Sequence, residues 1–147
     1  MKEEILEIHL MMLQDKIDAF QDRIEALTED AKNDAKSSAG DKHETALSMM
    51  HIEQEKISAK IQEYISQKKE LLRIDISKKS NKICLGSLVQ ANNLWFFISG
   101  ALPKINVNNL QIYALSTQSP LGSLLMGKTL DDEVIVNHIS YKIQQVL

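Results

Sequence analysis

The sequence predicts an α+β protein: a long antiparallel helical hairpin, in effect a coiled coil, followed by a small antiparallel sheet carrying one short helix. Three observations lead there. Apolar residues in the first half form two ladders that mirror each other about a point between Gly40 and Asp41. Residues 1–85 hold a single glycine, Gly40, and no proline, whereas residues 86–147 hold the other four glycines and both prolines. After the ladders end, the apolar period changes from three-and-four to two.

The first ladder runs Leu10, Leu13, Ile17, Phe20, Ile24, Leu27 and Ala31. The second repeats its steps in reverse order as Met50, Gln54, Ile57, Ile61, Tyr64, Lys68 and Leu71. Steps of three and four place side chains on one stripe of a helix, the seam of a coiled coil. A mirrored pair joined by a short turn is an antiparallel hairpin, with Phe20 opposite Ile61, Ile24 opposite Ile57 and Ala31 opposite Met50. Glycine and proline each disfavour a helix interior, by about 1 and about 3 kcal/mol against alanine. Their exclusion except at the mirror point predicts helices over residues 2–36 and 42–73, each roughly 45–50 Å long at the usual rise per residue. Gln54 and Lys68 interrupt the seam, opposite Leu27 and Leu13. Lys68 is expected to carry its charged head to water along its aliphatic stem.

The polar run Arg73–Lys82 breaks the helical period. The chain therefore divides into a hairpin (1–74), a linker (75–83) and a C-terminal domain (84–147). In the last of these, Leu85–Ala91 and Leu94–Ser99 flank Asn92-Asn93, a tight hairpin turn. Another strand follows Asn108-Asn109 and reaches Leu115, and Glu133–Asn137 and Ile139–Val146 read as two more. Between them, Ser119 at an N-cap, Pro120 at the first helical position and Gly127 just past the end mark a short helix. Trp95, Phe96 and Phe97 alternate, so Phe96 faces one side of the sheet and its two neighbours the other.

Charge is unevenly spread. Residues 1–73 carry 16 acidic and 11 basic side chains, and residues 74–147 carry 4 and 6. An acidic rod has no basic face for phosphate contacts, which argues against duplex DNA as a partner. Cys84 is the only cysteine, so there is no internal disulfide, and it has no basic cluster to activate it. The opening Met1-Lys2-Glu3-Glu4 lacks the basic-then-apolar order of a signal peptide, and no apolar run approaches the roughly 18 residues of a membrane span. The expected location is cytoplasmic.

Several runs resemble the bacterial Gre transcript-cleavage factors. Ser119-Pro120-Leu121-Gly122-Ser123-Leu124-Leu125-Met126-Gly127-Lys128, continuing to Asp132-Glu133-Val134, is similar to that family's C-terminal signature. Gly86-Ser87-Leu88-Val89 and Tyr141-Lys142-Ile143 fall where the family has similar residues. Gly40-Asp41-x-x-Glu44-x-Ala46 resembles its acidic tip. The chain departs from the family at Leu47-Ser48, where an aromatic residue is usual, and at Asp131-Asp132, where the family has Gly-Asp. The segment from Ile98 to Leu110 also lacks the usual acidic stretch.

The resemblance implies an FKBP-like C-terminal domain and a hairpin that enters the secondary channel of RNA polymerase, with the C-terminal domain on the channel rim. Ser119, Pro120, Leu121 and Gly122 become candidates for binding polymerase. Asp41 and Glu44 become the catalytic pair, helping to hold a Mg²⁺ shared with the polymerase. Lys36, Lys42 and His43 become candidates for contact with the transcript backbone near the tip, and the 3′ end of the nascent RNA becomes an indirect partner. The chain would be a cofactor to a reaction in another protein, without an intrinsic cofactor or free-standing activity. Two metals stabilise charge on both the attacking and leaving oxygens of a phosphodiester, and Mg²⁺ takes one or two carboxylates with water and phosphate filling the rest.

The same two carboxylates have a plainer reading. Asp followed three residues later by Glu is capping-box spacing, and spacing alone favours that role. Both roles can coexist. His43 and His51 with Asp41 make a poor transition-metal set, since no cysteine or close histidine pair joins them. Met11, Met12, Met49 and Met50 are expected in seam and flank packing. Besides a cleavage-stimulating factor, the sequence admits a secondary-channel regulator that binds without stimulating cleavage. It also admits a coiled-coil adaptor or chaperone-like module.

Overall fold

The computed structural model describes the backbone of the chain except residues 38–40, and the side chains except those of residues 34–43. Two helices fill the first half: α1 (Lys2–Ser37) and α2 (Asp41–Leu72). The second half is a six-stranded sheet of β1 (Leu88–Ala91), β2 (Leu94–Ser99), β3 (Ile105–Val107), β4 (Leu110–Ser116), β5 (Glu133–Val136) and β6 (Ile139–Val146), with the short helix α3 (Pro120–Leu125). The chain forms two compact units. Met11–Lys69 is a helical stalk, and the sheet unit combines Met1–Leu10 with Glu70–Leu147.

In the stalk the two ladders meet as the mirror pattern requires. Ile17, Ile57 and Ile61 are buried together, with Phe20, Ile24, Leu27, Tyr64 and Ile65 packed around them. Phe20 stacks on Tyr64 with ring centroids 5.8 Å apart. The two polar interruptions of the seam are accommodated by hydrogen bonds across it. Gln54 Nε2 donates to Thr28 Oγ1 at 2.9 Å, and Lys68 Nζ donates to Gln14 Oε1 at 2.7 Å. Lys68 thus bonds to the facing helix at the seam's margin. Both bonds join positions one residue along from the partners the pattern assigns, which fixes the register closely.

The sheet unit is mixed where an antiparallel sheet was expected. Strand order is β3-β4-β2-β1-β6-β5, and β2 runs parallel to β4. The reason is β3, whose three residues Ile105-Asn106-Val107 are too few to show an alternation in sequence. The chain leaves β2, passes β4's place to lay down β3 at the edge, and returns through Asn108-Asn109 as β4, now parallel to β2. Three two-residue turns hold the hairpins: Asn92-Asn93, Asn108-Asn109 and Asn137-His138, with φ between 50° and 67° throughout. Positive φ at both central residues is the condition of a type I′ turn, and asparagine tolerates it.

Alternation then sorts the sheet's two faces. Val89, Ile98, Ile143 and Val134 join Leu125 of α3 and Ile83 in one buried cluster. Phe96 lies on that face, near Tyr113 and Tyr141. Leu88, Phe97 and Ile112, on the opposite side of the pleat, are fully buried as well. Ile5, His9, Leu71 and Ile74, from the helix ends assigned to this unit, are also buried. Two-sided burial explains why β2 reads as a nearly continuous apolar run.

Candidate functional sites

Asp41 is the first residue of α2, and Glu44 lies one turn further, exposed to solvent. Positions three apart share a helix face, so the backbone sets both carboxylate-bearing residues at the start of the same helix. The side chains of Asp41, Lys42, His43 and Lys36 lie outside the described residues, so their roles as metal, cap or RNA contacts remain sequence expectations. Among the described residues, no three His, Cys, Asp or Glu side chains gather as a metal site. Two carboxylates at an exposed helix start suit a hard cation only when other oxygen ligands come from elsewhere. His51 is exposed. Met12 and Met50 are partly covered, as seam flanks should be, whereas Met11 and Met49 point outward.

Below this end, the stalk carries an ion pair across its helices, Arg23 to Glu53 at 3.1 Å. It borders a cleft of about 390 Å³ between Leu27, Ala31, Ala46 and Leu47. Nearer the middle, Lys16 and Lys60 each stand 5.4 Å from the ring centre of Tyr64. Neither feature was legible from the apolar ladders, because both depend on residues flanking the seam.

In the sheet unit, the signature run folds into α3 and its caps. Ser119 sits at the N-cap in extended conformation (φ −69°, ψ 158°). Its hydroxyl accepts from Gly122 N–H at 3.0 Å and donates to the Ser116 carbonyl at 2.7 Å. Leu121 packs on the core cluster. Gly122 is buried, and a Cβ there would overlap the Ser116 carbonyl oxygen, so this position admits only glycine. Gly127 closes the segment with φ +79°. Three of the four candidate polymerase-binding residues are therefore committed to building the helix. Only Pro120 is exposed, and the apolar surface beside it comes from Leu124 and Met126.

The Asp131-Asp132 pair has a structural account. Asp131 adopts φ +70°, a conformation glycine favours and aspartate tolerates. The Asp132 carboxylate accepts from the Thr129 N–H at 2.8 Å and the Thr129 hydroxyl at 3.2 Å. These bonds hold its pKa below the usual carboxylate range. Cys84 is half-buried, and its N–H donates to Ser87 Oγ.

Sequence reading missed His9. It is fully buried, its Nε2 lies 3.0 Å from the Pro103 carbonyl, and its Nδ1 has no hydrogen-bond partner. The bond to a carbonyl requires Nε2 to carry the proton. Burial pushes the pKa of this histidine down, with the Pro103 bond opposing it. A lone histidine on a helix stripe gives no sequence signal of such burial.

Among the described residues, no helix is long and apolar enough to cross a membrane. The chain matches no protein-family model and none of the curated proteins. Among solved structures it is similar to GreA factor homolog 1 (Gfh1) of Thermus thermophilus. Identity is 17%, coverage is 95% of this chain and 94% of that one, and the TM-score is 0.35. A second structure, described as the transcription factor Gfh1, is 18% identical over 94% of this chain and 92% of that one, with a TM-score of 0.34.

Proposed function

We propose that this chain is a Gre-type elongation factor whose stalk enters the secondary channel of RNA polymerase and stimulates cleavage of backtracked RNA. One observation supports the reading most: a stalk of two in-register helices in which the second begins at Asp41 and exposes Glu44 one turn later. The acidic-tip and α3 signature residues add the resemblance on which the partner is named. Asp41 and Glu44 would share a Mg²⁺ with the polymerase, and that ion would supply charge stabilisation at the scissile phosphodiester. The chain's own work is to carry two anionic ligands into a channel and to hold them at one helix start. Lys36, Lys42 and His43 would lie along the transcript backbone, and Pro120 with its neighbours would meet the polymerase.

A second reading has its own observation. Leu47, in the Leu47-Ser48 stretch where the family carries an aromatic residue, lines the clefts of the stalk and is not held in a buried core. A factor altered there would occupy the channel without stimulating cleavage. Adding the protein and Mg²⁺ to a stalled polymerase complex separates the possibilities. Shortened RNA supports the first reading, binding without shortening supports the second, and no binding removes both in favour of an adaptor role.

A further inference from the structure

The stalk's core is unevenly distributed along its length. Its buried apolar side chains are Leu13, Ile17, Ile57 and Ile61. Among the described residues of α1 beyond Phe20 and of α2 before Ile57, none is buried. Ile24, Leu27, Ala31, Ala46, Leu47 and Met50 are only partly covered, and Met49 and Ile52 are mostly exposed. Two clefts open there, of about 390 and 350 Å³, and Ala31, Leu47 and Met50 line both. Alanine at 31 and 46 leaves unfilled the space that a leucine would occupy. The seam's hydrogen bond from Gln54 to Thr28 falls in the same stretch, and the Thr28 hydroxyl also donates to the Ile24 carbonyl at 2.9 Å. Such a back-bond slightly destabilises a helix and often bends it.

Most of a helix's stability within a protein comes from packing of its apolar face and little from propensity alone. Residues 28–33 and 44–54 are stretches of two long helices where no side chain is buried, so their packing is thin. Residues 13–27 and 57–65 share a closed isoleucine cluster, against which Ile24 and Leu27 pack. We infer that the stalk opens in two stages: residues 28–33 and 44–54 separate as a unit, while the Ile17–Ile57–Ile61 cluster, with Ile24 and Leu27 packed on it, stays closed and stops the opening. The partly open state would let the far stretch of the stalk adjust to its surroundings without loss of the near one. This device belongs to the stalk itself and stands whether or not polymerase is the partner.

Hydrogen exchange of the full chain, followed by mass spectrometry across low denaturant concentrations, tests it. Amides at 28–33 and 44–54 should exchange at least about tenfold faster than those at 13–20 and 57–64, with weaker denaturant dependence, as sub-global opening requires. The double substitution Thr28→Val with Gln54→Leu makes the seam apolar there, and should slow exchange in the far stretch alone. Ala46→Leu, which fills the cleft from the other helix, should do the same and serves if the double variant does not fold. Equal protection along the whole stalk would overturn the inference. So would a folded seam variant whose far stretch exchanges as fast as before.

Discussion

The stalk and the sheet unit of this protein are held together by different means. The sheet unit buries Leu88, Val89, Phe97, Ile98, Ile112, Leu125 and Ile143 completely. Among the described residues it contains no ion pair. The stalk has a narrow seam, few buried side chains and all three described ion pairs, Arg23–Glu53, Lys32–Glu29 and Lys60–Glu63. A two-helix rod has one apolar stripe per helix and nothing to cover its outer faces, so it cannot do otherwise. The difference teaches where each kind of change is tolerated: the sheet unit is intolerant of altered volume, and the stalk is intolerant only along a short stretch.

The sharpest way to break that comparison is to cut equivalent holes. Phe97→Ala in the sheet unit should cost about 3–5 kcal/mol, and Ile57→Ala in the stalk about 2–3 kcal/mol, the lower end of the range for such truncations. Partly covered residues packed against the Ile57 cluster, among them Ile24 and Leu27, can relax into the space left. Denaturant midpoints at unchanged slope would check this, and an equal or greater loss at Ile57 would remove the contrast.

Acid gives an intermediate effect confined to the sheet unit. Burial lowers the pKa of His9 in the folded chain, with the Pro103 bond acting against it. The unfolded chain then binds the proton more readily. Stability supplied by the neutral ring is complete above the ordinary pKa near ~6.5, and it is lost as pH falls through the lower, folded value. Denaturant midpoints measured from pH 7.5 down to pH 5 should therefore drop more for the native chain than for His9→Gln, about pH 6 and below. Parallel curves would mean that the ring is not held neutral by burial. The smallest effect belongs to the stalk's surface. Arg23→Gln should change stability by no more than about 0.5 kcal/mol, because both partners of the pair are substantially exposed.

Much of this architecture was legible because it rests on periodicity and punctuation. Both helices end within a residue or two of where the ladders and Gly40 place them, and Asn92-Asn93 and Asn108-Asn109 are the expected turns. Helix α3 is bounded by Ser119, Pro120 and Gly127 as its sequence signals. What escaped was non-local. The parallel pairing of β2 with β4 depends on a three-residue edge strand that leaves no pattern. The burial of His9 depends on Pro103, ninety-four residues away in sequence. The signature residues illustrate a further limit: Ser119, Leu121 and Gly122 stand out in sequence because the helix needs them, which hides how little of that run faces outward. At the candidate catalytic pair, a capping box and a metal-ligand pair share the same spacing, and backbone position alone does not separate them.

Chemistry can separate them, because asparagine caps a helix about as well as aspartate but ligates Mg²⁺ far less strongly. The direct measurement is RNA shortening in a stalled polymerase complex with the variant Asp41→Asn, Glu44→Gln, beside circular dichroism of its stalk and its binding to polymerase. If the carboxylates serve as ligands at a borrowed centre, the variant stays helical, still binds, and shortens no RNA. Shortening at the native rate by a folded, bound variant would contradict the account.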